Sequence, residues 1–484
     1  MATWETVYRA LPPGLQTLAL NAHAWRIDRH RYGAPYRHAV TRLREQERWS
    51  LERIRAYQVE RLREMIRVAS DRSSYYRERL AAAGINPSHI HHLSDVAKLP
   101  ILAKETLRAR PNDLLTARRP RSEWLQGHTS GTTGSPLGVW YDRQTAIMTN
   151  AVDRRLKIWA GMVDDDWIGL LLGRVVVPPE QHRPPFWRPN WIHRQVWFSS
   201  FHLGDENLPS YVQEIRRRGL RFLEGYPSTL FILANYLVRR GSTLPMRAVL
   251  TSSETLHATQ RETIEAAFAC PIFDFYGLAE RVIFAGDCET HQGKHLAEEY
   301  GYAEVVDDEG RVVRDGRVGY LVGTSLHNSA MPLLRYRTGD MSAIMREPCA
   351  CGRTSRRIQP VTTKAEDIIV TPDGRMISPS ILTHPFKPLG QIVKSQILQE
   401  RLDNLVVKIV PSAQFTAAEE RALVAGLTQR LGLGVGIEIR LVDDIPLEPS
   451  GKYRWVISRV QHPCSLPWVD LAPGERVAPA LRNR

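Results

Sequence analysis

The sequence is poor in cysteine and has no long apolar run. The first shortage excludes a disulfide-rich protein, and the second argues against a membrane-spanning one. Five cysteines in 484 residues are too few for a disulfide scaffold. No segment approaches the roughly 18 uninterrupted apolar residues of a membrane-spanning helix. The start MATWETVYRALPPGLQTLAL also has no basic segment ahead of its apolar run. We therefore expect a soluble, cytoplasmic protein with no membrane span.

The length of the chain bears on the number of domains, and its net charge bears on the kind of partner it binds. The chain exceeds the roughly 250–300 residues at which a single core stops growing, which predicts a large body and a smaller domain. A net charge of +13 suits anionic partners such as nucleic acid, anionic lipid, ATP or coenzyme A. Because no nucleic-acid motif of the helix, finger or RNP type is present, we expect no nucleic-acid partner. The oligomeric state stays open, with a homodimer among the alternatives.

Apolar patterns divide the chain into parts. Residues 36–83 have helical spacing. Between 129 and 342, short apolar runs such as WIGLLLG, RAVLTSS and CPIFDFYG alternate with helical segments such as SYVQEIRRRG and PSTLFILANYLVRRG, which is typical of an α/β fold. Hairpin-like pieces, a helix over 416–431 and a strand then follow. We predict a helical N-terminal segment packed on the body (1–105), an α/β body (106–362), a small α+β domain (363–462) and a tail (463–484).

A glycine- and hydroxyl-rich loop is the first candidate site. The segment TSGTTGSPLG (129–138) lies between the strand-like stretches SEWLQGH and VWYD. Glycines let backbone amides turn toward one anion, and hydroxyls add donors that ATP phosphates accept. The loop lacks the GxxxxGK[ST] form of a P-loop, and alone it is also compatible with an ordinary turn. The loop residues predicted to hold phosphates are Ser130, Gly131, Thr132, Thr133 and Gly134.

Three cysteines and one histidine form two close pairs of possible metal ligands. Cys288 and His291 form CxxH, and Cys349 and Cys351 form CxC, both in turn-rich segments. Such a set suits a closed tetrahedral structural Zn²⁺ site, with His295 as a rival fourth ligand. The alternative is reduced thiols and a solvated histidine that never meet.

Further motifs follow the loop in a recognisable order. They are GYPST (225–229), SSETL (252–256), DFYGLAE (274–280), LLRYRTGD (333–340) and PSGKYRW (449–455). Together with TSGTTGSP they resemble the adenylate-forming superfamily. HNSAMPLLRYRTGD with KLPILAKETLR (98–108) resembles its phenylacetate-CoA ligase branch, which includes capsule-biosynthesis members. The implied fold is a large, multi-layered α/β N-terminal body with a small, mobile α+β C-terminal domain.

The resemblance assigns roles to individual residues. Tyr276 would lie against adenine, Asp340 would accept the ribose hydroxyls, and Glu280 would bind Mg²⁺, which prefers hard oxygen donors. Lys452 matches the family's mobile catalytic lysine, which stabilises charge developing on the α phosphate. The remaining positions assigned to ATP or AMP, besides the loop, are Ser253, Glu254, Phe275, Gly277 and Lys364.

Two departures from the family pattern affect these roles. Ser135 occupies a loop position that is often Lys, and residues 363–367 replace the usual GRxDD hinge. Lys364 would replace the hinge arginine as a point charge, and Glu366 or Asp367 would be the pivot. The acid pocket of this branch points to Tyr226, Pro227, Ser253 and Phe275, for which ordinary core packing is the alternative interpretation.

Three functions are compared on this basis. The first is an AMP-forming ligase that uses ATP and Mg²⁺ to activate a carboxylic acid and then transfers the acyl group to coenzyme A. The second passes the acyl group directly to an amine, hydroxyl or carrier in polysaccharide or natural-product biosynthesis, which the altered hinge favours slightly. The third is a nucleotide-binding scaffold or basic nucleic-acid binder, against which the presence of Glu280, Asp340 and Lys452 argues.

Overall fold

The computed structural model describes residues 4–117, 121–128, 137–178, 180–361, 369–373, 375–377, 379–386, 388–389, 391–445 and 455–460. The helices are α1 (Trp4–Ala10), α2 (Pro13–Arg31), α3 (Ala34–Gln46), α4 (Leu51–Arg72), α5 (Ser74–Ala82), α6 (Lys104–Ala109), α7 (Arg143–Trp159), α8 (Leu208–Arg218), α9 (Pro227–Arg239), α10 (Ala258–Phe268), α11 (Pro379–Leu382) and α12 (Ala417–Leu431). Short 3-10 helices occupy Pro87–His89, Leu93–Lys98, Asn112–Leu114 and His384–Phe386.

The strands follow the same chain order. They are β1 (Leu125–His128), β2 (Gly138–Tyr141), β3 (Ile168–Leu171), β4 (Trp187–Asn190), β5 (Gln195–Phe198), β6 (Phe222–Gly225), β7 (Ala248–Ser252), β8 (Ile272–Gly277), β9 (Phe284–Asp287), β10 (Lys294–Leu296), β11 (Gly301–Val306), β12 (Gly319–Ser325), β13 (Tyr336–Ser342), β14 (Arg357–Ile358), β15 (Ile369–Val370), β16 (Met376–Ile377), β17 (Ile392–Arg401), β18 (Asn404–Pro411), β19 (Gly436–Leu441) and β20 (Val456–Ser458).

A nine-stranded sheet in the order β14-β10-β9-β8-β7-β6-β3-β5-β4 forms the centre of the body. The five neighbouring strands from β8 to β5 run parallel, and the strands at both sides pair antiparallel. Every residue of β6 and β7 is buried, as expected where helices cover both faces of a parallel sheet. The predicted α/β class is confirmed, and the runs WIGLLLG, RAVLTSS and CPIFDFYG contain β3, β7 and β8.

Helices α8 and α9 lie where the apolar periodicity placed them. Helix α9 buries most of its length, and α8 ends at Gly219, whose φ of +59° is a left-handed conformation that glycine adopts without strain. The helical run expected over 36–83 is divided into α3, α4 and α5 by breaks after Gln46 and at Ser73. At the first break, the Ser50 side chain accepts a hydrogen bond from the amide of Arg53 and so caps α4.

The C-terminal part has its own sheet. Strands β19, β18, β17 and β20 form a four-stranded sheet in that order, with β17 and β18 antiparallel. Helix α12 begins at a capping box in which the Thr416 and Glu419 side chains bond each other's backbone amides. The α+β character of this part is confirmed, whereas the proposed boundaries between parts stay predictions. The predicted tail, 463–484, lies outside the described residues.

Among the helices that the structure describes, none is long and apolar enough to cross a bilayer.

Candidate active site and metal centre

Several candidate residues meet at the carboxyl edge of the parallel strands. Strands β3, β6, β7 and β8 are neighbours, so the segments that follow them share one edge of the sheet. In open parallel sheets this edge is where ligands bind. Tyr226 follows β6, Ser253 and Glu254 follow β7, and Gly277 ends β8. Three predicted site segments are therefore adjacent.

Tyr276 and Asp340 join two separate sheets at this edge. Tyr276 is buried on β8, Asp340 lies on β13, and the Tyr276 hydroxyl donates to Oδ2 of Asp340 over 2.7 Å. Burial, and then the nearby Asp340 carboxylate, raise the pKa of Tyr276 well above its usual value. The phenol therefore stays a donor at neutral pH. Gly339 precedes Asp340 within β13, where the pairing with β12 is irregular, and its φ of +89° is a conformation that glycine adopts without strain.

Glu280 is held by a residue that the sequence did not single out. Its carboxylate is 3% exposed, and Oε1 accepts a hydrogen bond of 2.7 Å from the Tyr336 hydroxyl at the start of β13. Burial and the Glu280 charge both raise the pKa of Tyr336. The signal for Tyr336 was present, because it lies four residues before Asp340 within LLRYRTGD. The bond to Tyr336 occupies one carboxylate oxygen of Glu280.

The glycine-rich loop connects strands that end beside Glu280. Strands β1 and β2 pair antiparallel with His128 opposite Gly138, so residues 129–137 join the two strands. A Cβ on Gly127 would lie 3.7 Å from the carbonyl oxygen of Ala279. The described ends of the loop are thus next to the Glu280 segment. The loop residues Ser130, Gly131, Thr132, Thr133, Gly134 and Ser135 themselves lie outside the described residues.

Four other predicted positions also fall outside the described residues. Lys364 and the hinge candidates Glu366 and Asp367 belong to 362–368, and Lys452 belongs to 446–454.

The segment after β7 is strained and linked to α9. Ser253 has φ of +70°, an uncommon value for a residue with a side chain. Glu254 Oε2 accepts a 3.1 Å hydrogen bond from the Ser228 amide in the first turn of α9. A carboxylate at a helix N-terminus satisfies an amide that has no partner within the helix. Glu254 thus has a structural bond in addition to its predicted nucleotide role.

The predicted acid pocket residues occupy the start of α9 and the end of β8. Tyr226 is half-buried at the N-cap of α9, and Pro227 is its buried first residue. Burial, and then the Glu254 charge, raise the pKa of Tyr226. Phe275 is half-buried and stacks on Phe284, with ring centroids 5.4 Å apart. These residues border the same edge of the sheet as Tyr276.

A buried ion-pair cluster, which the sequence did not indicate, lies under this edge. Lys294 Nζ is 2.8 Å from Oδ2 of Asp274 and 3.0 Å from Oδ1 of Asp287. Thr251 also donates to Asp274 over 2.7 Å. Burial lowers the pKa of Lys294, but the two carboxylates outweigh it and the pKa is raised. The cluster joins the neighbouring strands β7, β8, β9 and β10, and it includes Asp274, the first residue of the DFYGLAE motif.

A second cluster contains the predicted metal ligands. Ligand atoms of Cys288, His295, Cys349 and Cys351 all lie within 4.8 Å of one another. Cys288 follows β9, His295 lies on β10, and both other cysteines precede β14. His295 Nε2 is 3.3 Å from Sγ of Cys351, and its Nδ1 is 2.9 Å from Oγ of Ser355. A ring nitrogen held in this way fixes which nitrogen faces a metal.

Two members of the cluster, His295 and Cys349, have pKa values shifted toward their metal-binding forms, whereas the Cys288 thiol would have to lose its proton when a metal binds. Burial lowers the pKa of His295 to about 4, so its imidazole is neutral at pH 7. Burial opposes ionisation of Cys349, but hydrogen bonds from Thr290 and its neighbours lower its pKa to about 7. Burial raises that of Cys288 to about 11. Neutral imidazole and thiolate are the forms that bind zinc.

The histidine of the predicted ligand set requires a correction. His291, the last residue of CxxH, is absent from the cluster, and His295 takes its place. His291 has φ of +51° in the turn after Cys288, and its ring lies against Phe273 at 4.6 Å between centroids. The β9–β10 pairing, with His295 opposite Gly286, brings His295 beside Cys288 instead. The rival ligand therefore fits the geometry.

Comparison with known proteins gives relatives along most of the chain. A phenylacetate-coenzyme A ligase of Thermus thermophilus is 30% identical over 347 residues, covering 66% of this chain and 72% of that protein. One from Pseudomonas putida is 28% identical over 415 residues, covering 81% and 90%. Protein CapK of Staphylococcus aureus is 24% identical over 471 residues, covering 94% and 99%. Residues 369–459 match the family described as CapK C-terminal domain.

Solved structures agree on the fold. A 2-hydroxyisobutyryl-CoA ligase, in complex with 2-HIB-AMP and CoA, superposes with a TM-score of 0.55 at 20% identity, covering 86% of this chain and 92% of that chain. The same ligase with 2-HIB-AMP in the postadenylation state gives a TM-score of 0.51, also at 20% identity, covering 83% and 88%. At this identity the similarity shows the fold alone.

Proposed function

This chain belongs to the phenylacetate-coenzyme A ligase-like branch of the adenylate-forming enzymes, and we propose that it activates a carboxylic acid with ATP as an acyl adenylate and then transfers the acyl group to coenzyme A. In the first step a substrate carboxylate oxygen attacks the α phosphate of ATP, and pyrophosphate leaves. In the second step the coenzyme A thiol attacks the adenylate, forming a thioester and releasing AMP. Neither step needs a side-chain nucleophile.

The observation that carries this proposal is the pair of tyrosine–carboxylate bonds at the sheet edge. Tyr276 to Asp340 and Tyr336 to Glu280 bring together three residues that the family pattern assigns to the nucleotide. All three lie at the edge where open parallel sheets bind ligands. Asp340 would accept the ribose hydroxyls, while Tyr276 would border the adenine and hold the Asp340 carboxylate in place.

Glu280 fits a Mg²⁺ ligand by its chemistry. It is a buried carboxylate, a hard oxygen donor, and one of its oxygens is fixed by Tyr336. Mg²⁺ bound at this carboxylate would neutralise part of the negative charge of the ATP phosphates. The proximity of Gly127 to Ala279 supports a position for the β1–β2 loop near this carboxylate, with Ser130, Thr132 and Thr133 as phosphate donors and Gly131 and Gly134 as backbone amides.

The C-terminal domain would contribute the remaining groups. Lys452 would stabilise charge developing on the α phosphate during adenylation. Lys364 would contact the nucleotide, and Glu366 or Asp367 would be the pivot about which the domain rotates between the two half-reactions. Near the carboxyl edge, Tyr226, Pro227, Ser253 and Phe275 would surround the organic part of the acid.

The cysteine–histidine cluster fits a structural Zn²⁺ site of the Cys₃His type. Cys288, His295, Cys349 and Cys351 supply four ligand atoms close together, which leaves no open position for a reacting water. A bound ion would cross-link the loop that follows β9 to the loop that follows β13. These loops come after Glu280 and Asp340 respectively. The site would therefore hold the two segments that carry these carboxylates in fixed positions around the nucleotide.

A second function stays open on one observation. The match to Protein CapK extends over 99% of that protein, and the C-terminal family match is to CapK as well. Because the C-terminal domain would control the second half-reaction, this relationship leaves direct transfer of the acyl group to an amine, hydroxyl or carrier as the alternative to coenzyme A. The first half-reaction is the same in both functions.

The deciding experiment measures pyrophosphate and AMP release. The purified chain is incubated with ATP, Mg²⁺ and a panel of aryl and aliphatic acids, with and without coenzyme A. We expect acid-dependent pyrophosphate release that is lost in Lys452→Ala and kept in Lys408→Ala, a lysine of the same domain. Thioester formation with coenzyme A supports the ligase. Adenylation without a thiol-dependent increase in AMP release supports direct transfer, and absence of both ATP binding and pyrophosphate release would contradict both functions.

A further inference from the structure

Helix α2 turns polar residues inward and apolar residues outward. Gln16, Thr17 and Asn21 are all buried, at 8% exposure or less. Leu18 and Trp25, by contrast, are 56% and 55% exposed. A surface helix of a globular protein normally has the opposite arrangement. The exposed side of α2 therefore needs an explanation other than packing of the body.

The inward polar residues hold α2 in this orientation. Asn21 donates to the carbonyl of Pro189 over 2.9 Å and accepts from the amide of Trp191 over 2.7 Å. Gln16 accepts from Nε of Arg188 over 2.9 Å, and that arginine is fully buried. Rolling the helix to hide its leucines would leave these buried groups without partners, which is costly. The outward position of the apolar side chains is thus fixed by the hydrogen bonds beneath them.

Neighbouring residues extend the exposed apolar area. The turn after β4 holds Trp191 and Ile192, which are 52% and 42% exposed, and Asn21 ties this turn to α2. On the helix itself, residues 15, 18 and 25 follow the spacing of one face. We call the set Leu15, Leu18, Trp25, Trp191 and Ile192 the apolar face.

The charge beside the apolar face is positive. Helix α2 contains three arginines, at 26, 29 and 31, and a single acidic residue, Asp28. Asp28 lies 3.8 Å from the His193 ring. Arg26 is exposed, and among the described residues no carboxylate lies within ion-pair distance of it. Exposed tryptophan and leucine side chains next to an exposed arginine suit an anionic membrane surface, because tryptophan favours the headgroup region and arginine is attracted to lipid phosphate.

We propose that the apolar face docks on an anionic lipid surface, with α2 lying in the plane of the interface. Trp25, Trp191 and Leu18 would enter the headgroup region, and Arg26 would contact lipid phosphates. A second copy of the chain fits less well, because a two-fold contact through this face would bring the exposed Arg26 side chains of both copies together. The net charge of +13 also favours a negatively charged surface.

Vesicle flotation tests this proposal without reference to catalysis. The full chain is mixed with vesicles of phosphatidylcholine, or of phosphatidylcholine with phosphatidylglycerol, at low salt. We expect binding to the anionic vesicles and a partition coefficient about tenfold lower in the double variant Leu18→Gln/Trp25→Gln, since two interfacial side chains are lost. Leu441→Gln is the matched control, because Leu441 is 55% exposed on β19 of the four-stranded sheet and is not part of the apolar face.

A third variant tests the role of charge, and three results would overturn the proposal. Arg26→Gln should weaken binding to anionic vesicles and leave the thermal midpoint unchanged. The proposal is overturned if the chain does not float with anionic vesicles, or if the double variant binds as well as Leu441→Gln. It is also overturned if sedimentation shows a dimer that the double variant abolishes while vesicle binding is absent, which would assign the face to a second copy.

Discussion

The hydroxyl of Tyr276 donates to Oδ2 of Asp340 over 2.7 Å, although the two residues are 64 positions apart in the sequence. The bond joins the DFYGLAE strand of the large sheet to the RTGD strand of the three-stranded sheet. Its donor cannot ionise at neutral pH, because burial and the carboxylate raise the pKa of Tyr276. At least one lone pair of Asp340 is therefore committed to the protein, and the bond fixes the orientation of the carboxylate.

Removing the Asp340 carboxylate should weaken nucleotide binding. For Asp340→Ala we expect the KM for ATP to rise about 10- to 100-fold, since each charge-assisted hydrogen bond contributes about 1.5–3 kcal/mol. Tyr276→Phe should raise it less, because only the positioning bond is lost. Pyrophosphate release at varied ATP measures both, with Tyr320→Phe on the neighbouring strand β12 as the control. An unchanged KM in Asp340→Ala would remove Asp340 from the nucleotide site.

The Tyr336 hydroxyl should matter for both stability and the metal requirement. In Tyr336→Phe the buried Glu280 carboxylate loses a donor, which should cost about 1–3 kcal/mol of unfolding free energy. If Glu280 binds Mg²⁺, the less well oriented carboxylate should also raise the Mg²⁺ concentration for half-maximal pyrophosphate release. Denaturant unfolding and a MgCl₂ titration measure the two effects. A loss of stability with an unchanged Mg²⁺ requirement would leave the bond a purely structural role.

The sequence predicted the body of the fold but missed part of its surface. Apolar periodicity locates α8, α9, β7 and β8 because these elements bury apolar residues at regular spacing. It does not locate α2, whose buried side carries Gln16, Thr17 and Asn21 instead. Apolar periodicity also cannot predict the strand order of the large sheet, because that order depends on contacts between segments far apart in the chain.

The same limits apply to the site. The motifs identified Glu280 and Asp340, but not their partners, because a buried tyrosine that orients a carboxylate looks in sequence like any core aromatic. Ligand spacing favoured His291 over His295, whereas strand pairing decides which histidine approaches the cysteines. Lys294 was missed for a similar reason, because its two carboxylate partners come from β8 and β9.

Zinc content should separate the two histidines. We expect about one Zn²⁺ per chain, retained in His291→Ala and lost or strongly reduced in His295→Ala, because only His295 lies with the three cysteines. Elemental analysis after dialysis measures the content. Loss of a structural zinc should also lower the thermal midpoint of His295→Ala and of chelator-treated protein, since metal binding contributes directly to folding. Equal zinc content in both variants would contradict a Cys₃His site.

Glu298 should govern part of the acid sensitivity of folding. Oε1 of Glu298 is 2.8 Å from Nε of Arg356, and Oε2 accepts from Gln58 on α4 over 2.8 Å. Burial alone would raise the pKa of Glu298, but the Arg356 charge and these hydrogen bonds lower it below 4.5. A carboxyl whose pKa is depressed by folding stabilises the fold above its unfolded pKa, and the contribution is lost as pH falls through the folded pKa.

The variant Glu298→Gln should therefore lower the unfolding free energy at pH 7 by about 1–3 kcal/mol, because Arg356 loses its charged partner. Below pH 4.5 the wild type should approach the variant, so that the difference between them shrinks as pH falls. Denaturant unfolding from pH 7 to pH 3 measures this difference. Glu438→Gln, which alters an exposed pair with Arg440, is the control and should parallel the wild type at neutral pH. A difference that stays constant with pH would mean that Glu298 titrates alike in the folded and unfolded chain.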